Sequence, residues 1–216
     1  MILQEKINEL KDYAELAQAS YFYFDLEDCI LQENETIITL NELLNLSHNG
    51  KIAGKKEKVG QKYSFISKGE LNGEFGELQT KNFIQRYEVQ FHQPNTTSGF
   101  SATLFYDKQK DEFIVGFRGT EGFWNIDTMQ DITLSLNGNI QSSSLLEFLE
   151  QVNKIIKNKH KRIIFVGHSL GGYLAQMALI YCDIKYKDKL SFSPNEVYTF
   201  NSPSVYGWNF PNIAIF

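Results

Sequence analysis

Ile163-Ile164-Phe165-Val166-Gly167-His168-Ser169-Leu170-Gly171-Gly172-Tyr173 is the stretch on which the reading of this chain turns. Its continuous apolar opening, preceded by Lys161 and Arg162, has the pattern of a short strand buried on both faces, as in a parallel sheet. From Leu170 onward the pattern changes, and Leu174, Met177, Ala178 and Tyr181 recur at helical spacing. Between strand and helix stands Gly-x-Ser-x-Gly, in the strand-turn-helix setting that a nucleophile elbow requires. A strand that reverses so sharply into a helix holds Ser169 in a strained backbone conformation, its hydroxyl presented at the C-terminal edge of the strand. Side chains at positions 167 and 171 would meet the neighbouring strand and helix, which explains Gly167 and Gly171. The helix also aims its positive end at a reacting carbonyl. A glycine-rich turn with a capping serine is the competing reading, and the flanking segments argue against it.

Downstream, NEVYTFNSP (195–203) reads as another buried strand. Upstream, SSSLLEFLEQVNKIIKNK (142–159) reads as a helix with serines for N-caps and a stripe of Leu145, Leu149, Val152 and Ile156. Before it, RYEVQFH (86–92), FSATLFYD (100–107) and DEFIVGFRG (111–119) are β-branched and aromatic runs, the last two joined by a turn over Lys108–Asp111. Strands alternating with helices predict an α/β protein with a parallel sheet. The third of these strands leads into Gly116-Phe117-Arg118-Gly119-Thr120-Glu121. Acyl transfer needs two donors for a developing oxyanion. One is the backbone N–H after the nucleophile, here Leu170; the other comes from a loop after an earlier strand, here Thr120, whose hydroxyl adds a third.

FRGT (117–120), GHSLGG (167–172) and TFNSP (199–203), in this order, give the chain a resemblance to the class 3 lipases, over roughly residues 86–207. That family includes fungal triacylglycerol lipases and phospholipase A1-like enzymes. The resemblance implies an α/β-hydrolase fold with a mostly parallel sheet, Ser169 as nucleophile and Thr120 in the oxyanion hole. It implies a lipid carboxylic ester, triacylglycerol or phospholipid, as substrate, with no cofactor. It also places a lid after the oxyanion residue, where Phe123, Trp124 and Ile126 stand. Those three side chains either cover a site and touch a lipid interface, or are ordinary core residues. The acidic residue that closes the family's lid segment matches Asp131 best, with Asp127 as competitor, and its expected job is to pair with Arg118. No third ligand accompanies the two aspartates, so no metal site is expected. His168, adjacent to Ser169, is expected to pack and hydrogen-bond rather than act as the base.

The chain then departs from the pattern. A triad on this fold runs Ser, then Asp or Glu, then His. After Ser169 come Asp183, Asp188 and Glu196 but no histidine; His48, His92, His160 and His168 all precede the serine. Two explanations compete: a truncation that leaves out the C-terminal strands with the acid and base, which is the expectation, or a histidine such as His48 or His92 folding back. Truncation would leave a sheet edge near residues 196–202. Two functions follow, a serine ester hydrolase completed by a C-terminal part, or a non-catalytic fragment or lipid-surface-binding protein. A thioesterase or acyltransferase is a weaker third.

Residues 1–85 are read as a helical and loop extension, and 86–216 as the incomplete hydrolase core. Leu3, Ile7, Leu10, Ala14 and Ala17 form a helical stripe that leads into Tyr21-Phe22-Tyr23-Phe24. The run KIAGKKEKVGQK (51–62) reads as a solvated loop, in preference to a patch for anionic surfaces. With 216 residues, a net charge of −5 and 22% charged residues, the composition is that of a globular domain and argues against a nucleic-acid binder. Two cysteines, Cys29 and Cys182, suit neither a disulfide framework nor a four-ligand zinc site. The N-terminus lacks an apolar core of the signal-peptide kind, so a cytoplasmic location or signal-independent export is expected, and no apolar run is long enough to span a membrane.

Overall fold

The computed structural model describes residues 2–119, 139–157, 159–205 and 213–215. They fall into two compact units, Met1–Tyr21 with Val89–Phe216, and Phe22–Glu88. The division therefore differs from a cut at residue 85: the N-terminal helix groups with the hydrolase-like part rather than with the extension.

The first unit is organised on a six-stranded sheet of order β4-β5-β6-β7-β8-β9. Its strands are β4 (Tyr87–Gln93), β5 (Ala102–Asp107), β6 (Glu112–Phe117), β7 (Ile163–His168), β8 (Glu196–Phe200) and β9 (Ile213–Ile215). β5 and β6 pair antiparallel, while β6–β7, β7–β8 and β8–β9 are parallel. The sheet is thus mixed, not purely parallel. β9 is a strand the sequence reading did not anticipate. It pairs with β8 over Val197–Thr199, so the open edge expected near 196–202 is covered there. A three-residue strand in Asn-Ile-Ala-Ile is too short for alternation to reveal.

Among the described residues this unit has the helices α1 (Ile2–Ala19), α4 (Asn139–Ile156) and α5 (Leu170–Ile180), the last running into a π-helical turn at Tyr181–Lys185. The two faces of the sheet divide by residue parity, since side chains alternate along a strand. Phe113, Val115, Phe117, Phe165 and Val197 pack with Leu145, Leu149, Val152 and Ile156 of α4 and Leu174 and Ala178 of α5. Both predicted helical stripes are therefore buried as read. Helix α4 starts at Asn139, so Ser143 and Ser144 lie inside its first turns rather than capping it.

α1 packs on the opposite face, where a Cβ on Gly116 of β6 would meet Ser20 Cβ at 3.0 Å and the Leu16 carbonyl oxygen at 3.3 Å. Its buried residues are Tyr13, Leu16, Ala17, Ala19 and Ser20. The stripe expected from apolar spacing is rotated away from this face, with Leu3 74% exposed and Ala14 also outward. The polar end of the helix explains the difference. Lys6, Glu9 and Tyr13 reach over the N-terminal ends of the strands into a cluster with Glu112, Arg162, Glu196 and Tyr198. Arg162 Nη1 lies 3.2 Å from Glu112 and 3.5 Å from Glu9, Arg162 also pairs with Glu196, and the Tyr13 hydroxyl donates to Glu112 at 3.0 Å.

The second unit contains a three-stranded antiparallel sheet of order β1-β2-β3, from β1 (Ile30–Leu31), β2 (Ile52–Val59) and β3 (Lys62–Glu70). Two helices, α2 (Leu40–Leu44) and α3 (Glu77–Arg86), accompany it. α2 opens with a capping box, Thr39 accepting from the Asn41 N–H and Glu42 accepting from the Thr39 N–H. Its aromatic core includes Phe22, Phe75, Phe83 and Tyr87, with Phe22 and Phe75 edge to face at 4.9 Å. The lysine-rich run 51–62 is not a loop but the whole of β2, the turn after it and the first residue of β3.

Candidate active site

Ser169 occupies the single residue between β7 and α5, with φ 55° and ψ −127°. Positive φ is costly for a non-glycine residue, and a strained residue at a strand-to-helix corner is what a presented nucleophile requires. Two hydrogen bonds secure the corner: the Ser169 N–H donates to the Phe200 carbonyl at 2.9 Å, and the Gly172 N–H donates to the Ser169 carbonyl at 3.0 Å.

The neighbouring glycines bring backbone against backbone. A Cβ on Gly171 would lie 2.1 Å from the Phe117 carbonyl oxygen, and one on Gly167 would lie 2.3 Å from the Gly171 carbonyl carbon. Neither site can admit a side chain without moving main chain. The same closeness places Phe117-Arg118-Gly119 beside the first turn of α5. A Cβ on Gly119 would come 2.8 Å from the His168 carbonyl oxygen and 3.3 Å from the Gly171 nitrogen. Phe117 is also the register partner of Gly167. The predicted oxyanion segment and the elbow, some 50 residues apart in the chain, are thus neighbours up to Gly119. The first N–H groups of α5, Leu170 among them, have no intrahelical acceptor. Thr120, Phe123, Trp124, Ile126, Asp127 and Asp131 lie outside the described residues. Arg118 is buried, its N–H donating to the Ser101 carbonyl at 3.1 Å.

His168 Nδ1 lies 3.1 Å from the Tyr21 hydroxyl, which is also 3.4 Å from the His168 carbonyl oxygen. Burial lowers the His168 pKa, so the imidazole is held neutral. The remaining histidines are elsewhere. His92 sits on β4 with Nδ1 2.8 Å from Thr103 Oγ1, three strands from β7, or roughly 14 Å at ordinary strand spacing. His160 precedes β7, at the end of the strand opposite Ser169, and His48 belongs to the second unit.

Two residues of this region escaped the sequence reading. Tyr21, read only as part of an aromatic cluster, brings its hydroxyl to the elbow from the end of α1. Gln176 is buried on α5, where its Nε2 donates to the Gly172 carbonyl at 3.2 Å and the Pro203 carbonyl at 3.0 Å, while its Oε1 accepts from the Val205 N–H at 3.1 Å. It ties the TFNSP segment to the elbow helix. A lone glutamine in the apolar run LGGYLAQMALI was the available signal. Cys29 and Cys182 are free, buried thiols; burial raises the pKa of each, which suits packing rather than reactivity. No group of metal-ligating side chains occurs among the described residues, and no described helix is long and apolar enough to cross a membrane.

A serine at positive φ between a parallel strand and a helix, in a sheet with helices on both faces, is the arrangement of the α/β-hydrolases. The chain belongs to the Mbeg1-like family, a class 3 lipase-like family, whose model matches residues 71–209. Among solved structures it is similar to the Lip2 lipase of Yarrowia lipolytica, at 19% identity over 93% of this chain and 60% of that one, with a TM-score of 0.49. It is also similar to lipase II of Rhizopus niveus, at 20% identity over 58% of this chain and 52% of that one, TM-score 0.41. A triacylglycerol lipase of Penicillium expansum follows at 15% identity, 53% and 49% coverage and a TM-score of 0.38. The chain therefore spans about half to three fifths of the length of these lipases. A comparison with curated proteins returns no match.

Proposed function

We propose that this chain carries the nucleophile and oxyanion hole of a serine hydrolase that cleaves lipid carboxylic esters, triacylglycerols or phospholipids. The observation that carries the reading is Ser169 at φ 55° on the strand-to-helix corner, with the Phe117–Gly119 backbone packed against Gly171. In this scheme Ser169 Oγ attacks the ester carbonyl carbon, and the carbonyl oxygen takes up negative charge. The Leu170 N–H and Thr120, through its N–H and hydroxyl, receive that charge. Phe123, Trp124 and Ile126 serve as a lid that meets the lipid, and Asp131 pairs with Arg118. Collapse of the intermediate forms the acyl-enzyme and releases the alcohol, which needs a base to accept the serine proton and return it.

That base is the gap in the scheme. His168 is engaged by Tyr21, and His92 and His160 stand away from Ser169, so in this scheme none of these three imidazoles is the base. The experiment compares ester hydrolysis by the 216-residue chain, by a form extended through a downstream Asp and His, and by Ser169→Ala in each. The extended form should turn over short-chain or phospholipid esters, the short form hardly above background, and Ser169→Ala should remove the activity of the extended form by several orders of magnitude. Serine-dependent turnover by the short form would refute the missing-base assignment, with His92 and His48 the next residues to replace. An inactive extended form would favour the non-catalytic, lipid-surface-binding reading.

A further inference from the structure

Beyond Gly54, where β1 ends its pairing with β2, the β2–β3 ribbon continues as two strands alone. Residues 55 to 64 are all exposed, and the ribbon closes in a two-residue turn at Gly60-Gln61, with Gly60 at φ 65°. It reaches about 15 Å past its last neighbour, at 3.3 Å per residue. Between residues 51 and 70 six lysines stand against two glutamates, in a chain whose net charge is −5. Lys51 pairs with Glu33, Lys56 with Glu35 and Lys68 with Glu57. Lys55, Lys58 and Lys62 have no carboxylate partner among the described residues.

The apolar residues of the ribbon lie where these free cations are. Tyr63 is 73% exposed and Val59 57% exposed. The register opposes Lys58 to Tyr63 on one face and Val59 to Lys62 on the other. Each face of the tip thus presents an ammonium beside an apolar or amphipathic side chain. That pairing fits an interface with anionic groups outside and hydrocarbon beneath, where lysines stay with the headgroups and tyrosine sits at the boundary. A nucleic acid would use the lysines but gives Val59 nothing to enter. We propose that the β2–β3 ribbon is a docking arm for anionic lipid surfaces, independent of whether the chain hydrolyses esters.

The test is co-sedimentation of the 216-residue chain with vesicles of pure phosphatidylcholine and of phosphatidylcholine containing 30% phosphatidylglycerol, repeated in the Ser169→Ala background. Binding should appear on the anionic vesicles only, weaken at least tenfold between about 0.05 and 0.5 M salt, and be unchanged by Ser169→Ala. Lys55→Glu/Lys58→Glu/Lys62→Glu should lower it by on the order of a hundredfold, at about fivefold or more per lysine. Tyr63→Ala should lower it severalfold with all charges kept. Both variants lie on exposed positions and should keep the parent's thermal midpoint. Equal binding to neutral vesicles, no binding to either, or undiminished binding by the triple variant would overturn the proposal. So would charge-dependent binding that Tyr63→Ala leaves untouched while a single-stranded oligonucleotide binds more tightly than the vesicles.

Discussion

The two ends of the central sheet are built on opposite principles. At the C-terminal ends of β6 and β7 the side chains are removed: Gly119, Gly167 and Gly171 let main chain lie on main chain, and Ser169 sits at positive φ on the corner between β7 and α5. At the N-terminal ends of β6, β7 and β8 the side chains are long and charged. Glu112, Arg162 and Glu196 interlock there with Lys6, Glu9, Tyr13 and Tyr198. α1 connects the two, placing Lys6 in the charged cluster and Tyr21 at the elbow. The difference teaches where each kind of constraint is useful. A strained backbone corner must be held by something that neither titrates nor changes rotamer, and backbone close-packing does that. A helix laid across a sheet must be fixed in rotation and register, and a directional ion-pair cluster does that.

The sharpest way to break this comparison is Gly171→Val. The added Cβ would begin 2.1 Å from the Phe117 carbonyl oxygen, so a main-chain segment must move. We expect a loss of more than about 3 kcal/mol, or failure to fold, by urea denaturation followed by circular dichroism. A valine tolerated within about 1 kcal/mol would show that the elbow is not close-packed.

At the other end, Arg162→Met should cost about 3 kcal/mol, because it leaves Glu112, only 2% exposed, without its cation. Glu112→Gln should cost about 1 kcal/mol. Burial already holds the Glu112 carboxyl above the usual carboxylate range, against the pull of Tyr13 and Arg162, so a neutral isostere asks less of the site. If the two substitutions cost the same, the cluster acts through packing and the electrostatic contrast between the two ends fails.

These residues also explain what was legible in the sequence. The elbow could be read because few residue types satisfy a strand-to-helix reversal, and Gly-x-Ser-x-Gly between an apolar strand and a helix leaves little choice. Both α4 and α5 could be read because their buried faces are apolar but for Gln176. Of the apolar stripe expected on α1 only Ala17 is buried, because Glu9 and Tyr13 turn toward the charged cluster, which a count of apolar spacing ignores. The β2–β3 ribbon reads as a loop from sequence because both of its faces are solvated beyond Gly54, so it has no apolar-polar alternation to display. Tyr21 and Gln176 act through single hydrogen-bonding atoms and leave no periodic trace. Of the FRGT motif, the structure brings Phe117–Gly119 beside the corner between β7 and α5.

A smaller effect tests how far the elbow depends on side chains at all. Gln176→Leu roughly keeps the side-chain volume but strips the donor from the Gly172 and Pro203 carbonyls and the acceptor from the Val205 N–H. The expected loss is about 1–2 kcal/mol in a denaturation titration. Amide exchange at Val205 should accelerate more than exchange within β7, since the TFNSP segment loses its tie while the strand keeps its ladder. Uniform acceleration would mean that Gln176 supports the whole helix instead.

The smallest effect concerns pH and His168. Burial lowers its pKa in the folded chain, whereas in the unfolded chain it titrates near 6.5. Above that value both states hold the imidazole neutral, and His168 makes stability independent of pH. As pH falls through 6.5 the unfolded chain takes up a proton that the folded chain still refuses, so stability declines until the folded value is reached, and the deficit is constant below it. His168→Asn removes this component and leaves the carboxylates, which also titrate in acid, in place. The thermal midpoints of parent and variant, measured from pH 7.5 to 5, should therefore converge as pH falls, the parent losing its advantage. Parallel curves would show that the imidazole takes up its proton equally well in the folded chain. The Tyr21 hydroxyl would then be accepting a hydrogen bond from a protonated Nδ1, and the elbow would carry a titrating charge next to Ser169, which the contrast between the two ends of the sheet does not allow.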